Sequence, residues 1–326
     1  MHRYSYYKTA ACTPNVSIGD PQANKEEILN CIQKLDPDTQ LVVFPELCIT
    51  GYTCQDLFYE HTLLNKAKQV LFEIVEELPE NLVAVLGLPL EIDNKLYNCA
   101  AICFNHDILG IQVKTYIPSY NEFYETRWFS SASELKENTT FTYKNKKVPV
   151  SNHIVFKDTT TSACLGVEIC EDLWVTIPVS STHALAGANV LCNLSASNEI
   201  ISKANYRRNL IKDQSAKCYA GYIYASAGPT ESSSDLVFSG HNLICENGAI
   251  LSETKTDKII YGQIDLDHLN HDRLHYKTSM QDLFHVNYTT VEFASKPIHD
   301  IEFDRYIDAY PFVPNNQDER ITRCLE

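Results

Sequence analysis

Residues 82–114 read LVAVLGLPLEIDNKLYNCAAICFNHDILGIQVK. Three apolar runs lie within them: LVAVLGL (82–88), LYNCAAICF (96–104) and ILGIQVK (108–114). Each is strand-sized, and Asn105-His106-Asp107 between the last two is a hairpin signal. Strands joined directly by tight turns are antiparallel, because parallel neighbours need a long crossover. These three therefore argue against a simple doubly wound sheet. Outside this stretch, strand and helix patterns alternate. A continuous apolar run, LVVF (41–44), reads as a strand buried on both faces. Two mixed sheets facing each other, with helices outside, satisfy both observations. The expected fold class is α/β.

The rest of the chain extends this pattern. YYKTAAC (6–12) is a first strand, and Ile28, Leu29, Ile32 and Leu35 line one face of a helix after it. Residues 56–78 carry apolar side chains at helical spacing. ACLGVEIC (163–170), VLCNLSA (190–196), GYIYASA (221–227), HNLICENGAILS (241–252) and IIYGQIDL (259–266) are strands. Helices are expected through 184–188 and over 203–219. Residues 129–150 are rich in Ser, Thr, Asn and Lys and read as a loop. No domain boundary is visible before about residue 290. Residues 1–290 therefore read as one domain, and 291–326 as a C-terminal extension or linker.

The chain has 326 residues, 44% hydrophobic, and a formal net charge of −15. Such an acidic surface repels phosphate backbones and anionic lipid, so neither nucleic acid nor membrane is an expected partner. The N-terminus has no apolar signal segment. Twelve cysteines are many for this length, but they form no CxxC pair and no metal-ligand rhythm. Most read as small apolar packing residues in a reducing, cytoplasmic setting, and no metal site is expected.

Chemistry shows at three strand ends, where reactive groups in α/β sheets commonly lie. Glu46, in LVVFPELCITGYTCQDL, is a carboxylate just after a buried strand, and desolvation would raise its pKa toward that of a usable base. Lys114, in GIQVKTYIPSYNEFYETRWF, is an ammonium placed to stabilise a developing oxyanion. Taken alone, each is more often a surface charge. Cys170, in CLGVEICEDLWV, ends a strand before an acidic segment. A helical turn there would lower its thiol pKa, while Glu171 and Asp172 would raise it, so activation calls for a cation such as Lys114.

FPELCITGYTCQDL, KTYIPSYNEFYETRWF, GVEICEDLW and NLSASNEIISK, in this order, resemble the motifs of the nitrilase superfamily. Among its branches they look most like the glutaminase domain of glutamine-dependent NAD synthetase. The resemblance spans residues 5–326, including AYPFVP near the end. It implies a nitrilase-like α-β-β-α sandwich of two mixed sheets with outer helices. It also implies Glu46 as general base, Lys114 as oxyanion partner and Cys170 as nucleophile, with Glu125 as an accessory glutamate that holds the lysine. Tyr120, Ser197 and Lys203 match positions that hold the amino-acid end of glutamine, and Tyr52 and Glu171 line the pocket. Where relatives carry Pro-x-x-x-Gly between the serine and the basic residue, this chain has Asn198 and Ser202.

The resemblance further implies L-glutamine as substrate, no cofactor for this domain, and a homo-oligomer formed through the sheets. ATP and Mg would belong to a synthetase domain that the family carries, but no SGGxDS-like, GxxxxGK or GxGxxG loop occurs here. The chain stops where relatives continue into that domain, so a piece of a longer protein is expected. Three other readings stand beside this one. They are a stand-alone amidase or nitrilase with the same triad, a Cys–His hydrolase using His241 or His183, and a catalytically silent assembly module.

Overall fold

The computed structural model describes residues 5–278, 280–281, 285–298, 301–307, 313–314 and 316–325. Strand β1 (Tyr6–Cys12) leads through helix α1 (Pro21–Gln33) to β2 (Leu41–Val43), which lies parallel to it. The Asp20 side chain caps α1 by accepting from the Ala23 N–H, and Pro21 suits the first helical position. A 3-10 segment (Tyr52–Tyr59) and α2 (His61–Glu77) then lead to β3 (Val83–Ile92), parallel to β2. From β3 the chain folds back twice, into β4 (Lys95–Phe104) and β5 (Asp107–Val113). The turns are Asp93-Asn94 (φ 51 and 61) and Asn105-His106 (φ 47 and 59). Positive φ at both central residues is the hairpin geometry whose twist matches that of the strands.

After a small hairpin, β6 (Ser119–Tyr120) and β7 (Phe123–Tyr124), the structure departs from expectation. Residues 129–150, read as a loop, contain β8 (Thr140–Tyr143) and all but the last residue of β9 (Lys146–Ser151), which extend the first sheet at its edge. Polar residues dominate there because an edge strand has one wet face. Phe141, Tyr143, Val148 and Val150 supply the other face and are buried.

The second sheet begins with β10 (Ile154–Asp158) and β11 (Cys164–Ile169). Helix α3 (Val179–Leu185) crosses to β12 (Val190–Ser195), and α4 (Lys203–Lys217) to β13 (Gly221–Ser226), giving three parallel strands. The hairpin β14 (Asn242–Glu246) and β15 (Ala249–Thr254) completes that edge. β16 (Ile259–Asp265) then returns to pair antiparallel with β1 in the first sheet. After α5 (Leu266–His275), β17 (Thr289–Phe293) lies parallel to β10, so the expected division at residue 290 falls inside a strand of the second sheet. Ser295 donates to the buried Asp158, and Arg305 grips Glu246, so this sheet's contacts reach well past 290. The last described element is α6 (Gln317–Leu325). Most of AYPFVP (309–314) lies outside the described residues.

The alternation of side chains along the strands makes the layers. Val43, Val85 and Ile102 of the first sheet face Val167, Cys192 and Ile223 of the second. The opposite face of the first sheet, with Val42, Ala84 and Cys103, packs on Ile28 and Ile32 of α1 and Val70 and Ile74 of α2. Leu191, Tyr222 and Leu243 of the second sheet pack on Ala184 of α3 and Ile211 of α4. This is the α-β-β-α sandwich that the motifs implied. Of the eleven cysteines whose side chains are described, ten are buried and most act as apolar filling, and none is bonded to another. Among the described residues no helix is long and apolar enough to cross a membrane.

Candidate active site

Strands β2, β5 and β11 end on the same side of the sandwich, and each delivers one of the expected residues. The segment carrying Glu46 crosses β3 at very close range. A Cβ on Gly87 would lie 2.4 Å from the Leu47 nitrogen and 2.5 Å from the Pro45 oxygen, so only glycine permits the crossing. Leu47 itself turns at φ 52. Cys170 opens a short 3-10 turn, Cys170–Leu173, also at positive φ (45). Such a conformation costs a non-glycine residue on the order of 1–3 kcal/mol and is held by its surroundings.

Glu46 and Lys114 are fully buried and Glu125 nearly so. The Lys114 ammonium donates to Glu46 Oε1 at 2.6 Å and to both Glu125 oxygens at 2.8 Å. Asn98 donates to the same Glu46 oxygen at 2.7 Å, and the Ala196 N–H, just past β12, donates to Glu46 Oε2 at 2.9 Å. Burial pushes the Glu46 carboxyl up to about 7, with Glu125 adding to the rise and Lys114 and Asn98 opposing it. Burial alone would lower Lys114, but the Glu125 and Glu46 carboxylates outweigh it and hold the ammonium well above its ordinary range. The centre is thus one cation between two desolvated carboxylates.

Burial also holds the Cys170 thiol well above its ordinary range. The Glu46 charge adds to this, and Lys114 opposes it. The thiol therefore keeps its proton until a base removes it. The acids expected to raise it, Glu171 and Asp172, are engaged elsewhere, and the foremost carboxylates acting on it are Glu46 and, after Lys114, Glu125. Asp172 is buried and faces away. Its Oδ1 accepts from the Thr115 and Tyr116 N–H groups (3.0 and 2.9 Å) and its Oδ2 from the Ile169 N–H (3.1 Å). One carboxylate thereby staples the backbone just after Lys114 to the backbone just before Cys170. Nothing in the local pattern separates this aspartate from an ordinary surface acid after a strand.

The remaining expected residues form the rim. Tyr52 holds Glu125 as well as lining the pocket: its hydroxyl donates to Glu125 Oε1 at 2.6 Å. Its N–H donates to the buried Glu231 at 2.6 Å. Tyr52, Glu122, Phe123, Glu125 and Leu236 line a narrow cleft. Tyr120 donates to the half-buried Glu171 at 2.8 Å. Ser197 is buried, and its hydroxyl accepts from the fully buried Arg207 at 3.2 Å. The Lys203 ammonium lies 5.5 and 5.2 Å from the ring centres of Phe123 and Trp174. Burial lowers its pKa, and Cys170 and Glu171 lie near enough to act on it. Ser202 sits at φ 72 before α4, a left-handed position that explains the glycine of the resembling pattern.

The two candidate histidines are placed elsewhere. His241 pairs with Arg207 at 2.9 Å and Glu253 at 2.7 Å, and His183 with the Val167 carbonyl at 2.8 Å. Burial lowers His183 to about 4. Among the described residues, neither bonds to Cys170.

The carbon-nitrogen hydrolase family model matches residues 8–273, most of the chain. The chain belongs to the carbon-nitrogen hydrolase family. It is 34% identical over 338 aligned residues to a glutamine-dependent NAD(+) synthetase of Mycobacterium tuberculosis, covering 100% of this chain and 50% of that protein. A crystal structure of a glutamine-dependent NAD(+) synthetase from Cytophaga hutchinsonii matches with a TM-score of 0.70 and 28% identity, over 79% of this chain and 43% of that one. A Saccharomyces cerevisiae member of branch 10 of the nitrilase superfamily shares the fold (TM-score 0.64, 20% identity, 83% and 94% covered). This carbon-nitrogen hydrolase thus spans about half the length of the NAD synthetases it resembles.

Proposed function

We propose that this protein is a glutamine amidohydrolase that releases ammonia for a synthetase partner making NAD from its deamido precursor. The single observation that carries the reading is the buried Glu46–Lys114–Glu125 cluster beside Cys170. Glu46 takes the Cys170 proton, and the thiolate attacks the side-chain amide carbon of glutamine. Lys114 and the Glu171 N–H, which has no acceptor within its short turn, stabilise the oxyanion. Protonated Glu46 gives its proton to the departing ammonia and leaves a thioester. Glu46 then activates a water that releases glutamate. Glu125, fixed by Tyr52, keeps the lysine aligned. Tyr120, Glu171, Ser197 and Lys203 supply donors and acceptors suited to an amino-acid head group, which favours glutamine over a simple nitrile. The chemistry calls on no metal or organic cofactor from this chain.

The test is covalent. A glutamine-like diazoketone should add once to the protein by intact mass. Glutamine should block the adduct and Cys170→Ala should lack it. No adduct, even with a synthetase domain supplied in trans, would refute the reading.

The pH dependence follows from Glu46. The base must be ionised to act, so activity is lost as pH falls through its folded pKa. Because burial raises that value to about 7, the acid limb of kcat/KM should fall near pH 7. A limb near the ordinary carboxylate range would show that another group is the base.

A further inference from the structure

Asn198 stands in the loop between β12 and α4, where the resembling pattern has proline, and is 3% exposed. Its carboxamide is bonded at both ends: Nδ2 donates to the Glu122 carboxylate, and Oδ1 accepts from the Lys203 ammonium. The partners fix the orientation of the amide, since an ionised carboxylate only accepts and an ammonium only donates. Glu122 belongs to the turn between β6 and β7, and Lys203 is the first residue of α4. One neutral side chain therefore bridges opposite charges on two separate segments. The bridge is anchored from behind. The Asn198 carbonyl accepts from Arg207 Nη2 at 3.0 Å, and Arg207 is held in turn by Ser197, Glu199 and His241.

A neutral bridge has a consequence for charge. With an apolar residue at 198, the Glu122 carboxylate and the Lys203 ammonium would be free to pair directly, and the ammonium would be neutralised. With the carboxamide between them, Glu122 is satisfied by a neutral donor. Lys203 gives one of its three N–H groups to a neutral acceptor and keeps its charge over the Phe123 and Trp174 rings. We propose that Asn198 is a specificity-determining positioning residue. It holds the β6–β7 hairpin against the loop before α4 and keeps the Lys203 ammonium available for a carboxylate of the substrate. The inference rests on the glutamine reading above, whose α-carboxylate is the group Lys203 would meet.

The experiment measures Cys170 alkylation by iodoacetamide, which bears no carboxylate or ammonium, and the glutamine concentration that half-protects against it. In Asn198→Ala the half-protecting concentration should rise about tenfold, the worth of one charge-assisted hydrogen bond, while alkylation without glutamine keeps its rate. Asn198→Asp, which offers Lys203 a carboxylate of the protein's own, should shift it further. Asn198→Ala combined with Lys203→Ala should be no weaker than Lys203→Ala alone. An unchanged half-protecting concentration in Asn198→Ala overturns the proposal. So does a parallel loss of alkylation, which marks collapse of the whole site. Wild-type protein that glutamine does not protect at all rejects the glutamine reading, and this inference with it.

Discussion

Replacing Glu46 with glutamine is expected to slow glutamine hydrolysis by about 10⁴-fold while leaving the protein folded, the scale of losing a general base from residues that act as a unit. Shape is preserved, but the hydrogen-bond pattern is not. Glu46 accepts three bonds, from Lys114 and Asn98 on one oxygen and from the Ala196 N–H on the other. Whichever way a glutamine amide is turned, its NH₂ group faces a donor. That mismatch costs about 1–3 kcal/mol for a buried group left unsatisfied, a loss a domain of this size can absorb. The decisive measurement pairs turnover with a denaturation curve. Near-normal turnover in a folded Glu46→Gln protein would remove Glu46 from the chemistry.

The second large effect is on stability. In Lys114→Met the Glu46 and Glu125 carboxylates remain buried without their cation. Breaking a buried pair in this way costs about 3–5 kcal/mol, because uncompensated charge stays behind. The sign of its pH dependence is fixed. Without the lysine, which opposes the effect of burial, the Glu46 carboxyl is raised further above its unfolded value, so folding then favours its protonated form. The deficit is full above the folded pKa and is relieved as pH falls toward the unfolded value. Urea denaturation at pH 8 should therefore show a larger loss, relative to wild type, than at pH 5.5. Equal losses at both pH values would show that the carboxylates are not its source. Glutamine hydrolysis should be lost as well, since the lysine is also the proposed oxyanion partner.

Glu46, Lys114 and Cys170 were legible as candidates because each follows a buried apolar run, but only the motifs taken together set Glu46 and Lys114 apart from surface charges. Period-two alternation and apolar continuity are local properties, and a charge at the end of such a run is conspicuous. The hairpins around Asn105-His106 and Asn247-Gly248 were legible for the same reason, since the turn residues are neighbours in the chain. The strands at 140–143 and 289–293 were not: each is edge-like and half polar, and takes its conformation from a partner. For Thr289–Phe293 that partner is β10, more than 130 residues away. Tyr52 was read as pocket lining, yet its hydroxyl aligns Glu125, a contact between residues 73 positions apart.

The sequence by itself determined the order of most strands and helices, the two-sheet sandwich, and which residues stand at the strand ends, because all of these follow from periodicity and turn chemistry within short windows. Only the tertiary structure decided the chemistry at those ends. Burial around Glu46 raises its carboxyl to about 7, into the range of the proposed base. Asp172 joins the Lys114 and Cys170 segments through three backbone N–H groups. Asn198 bridges Glu122 and Lys203 across the rim. Desolvation and hydrogen-bond partnership depend on which distant segments close over a group, and residues of one type and one local pattern acquire different roles according to what packs against them.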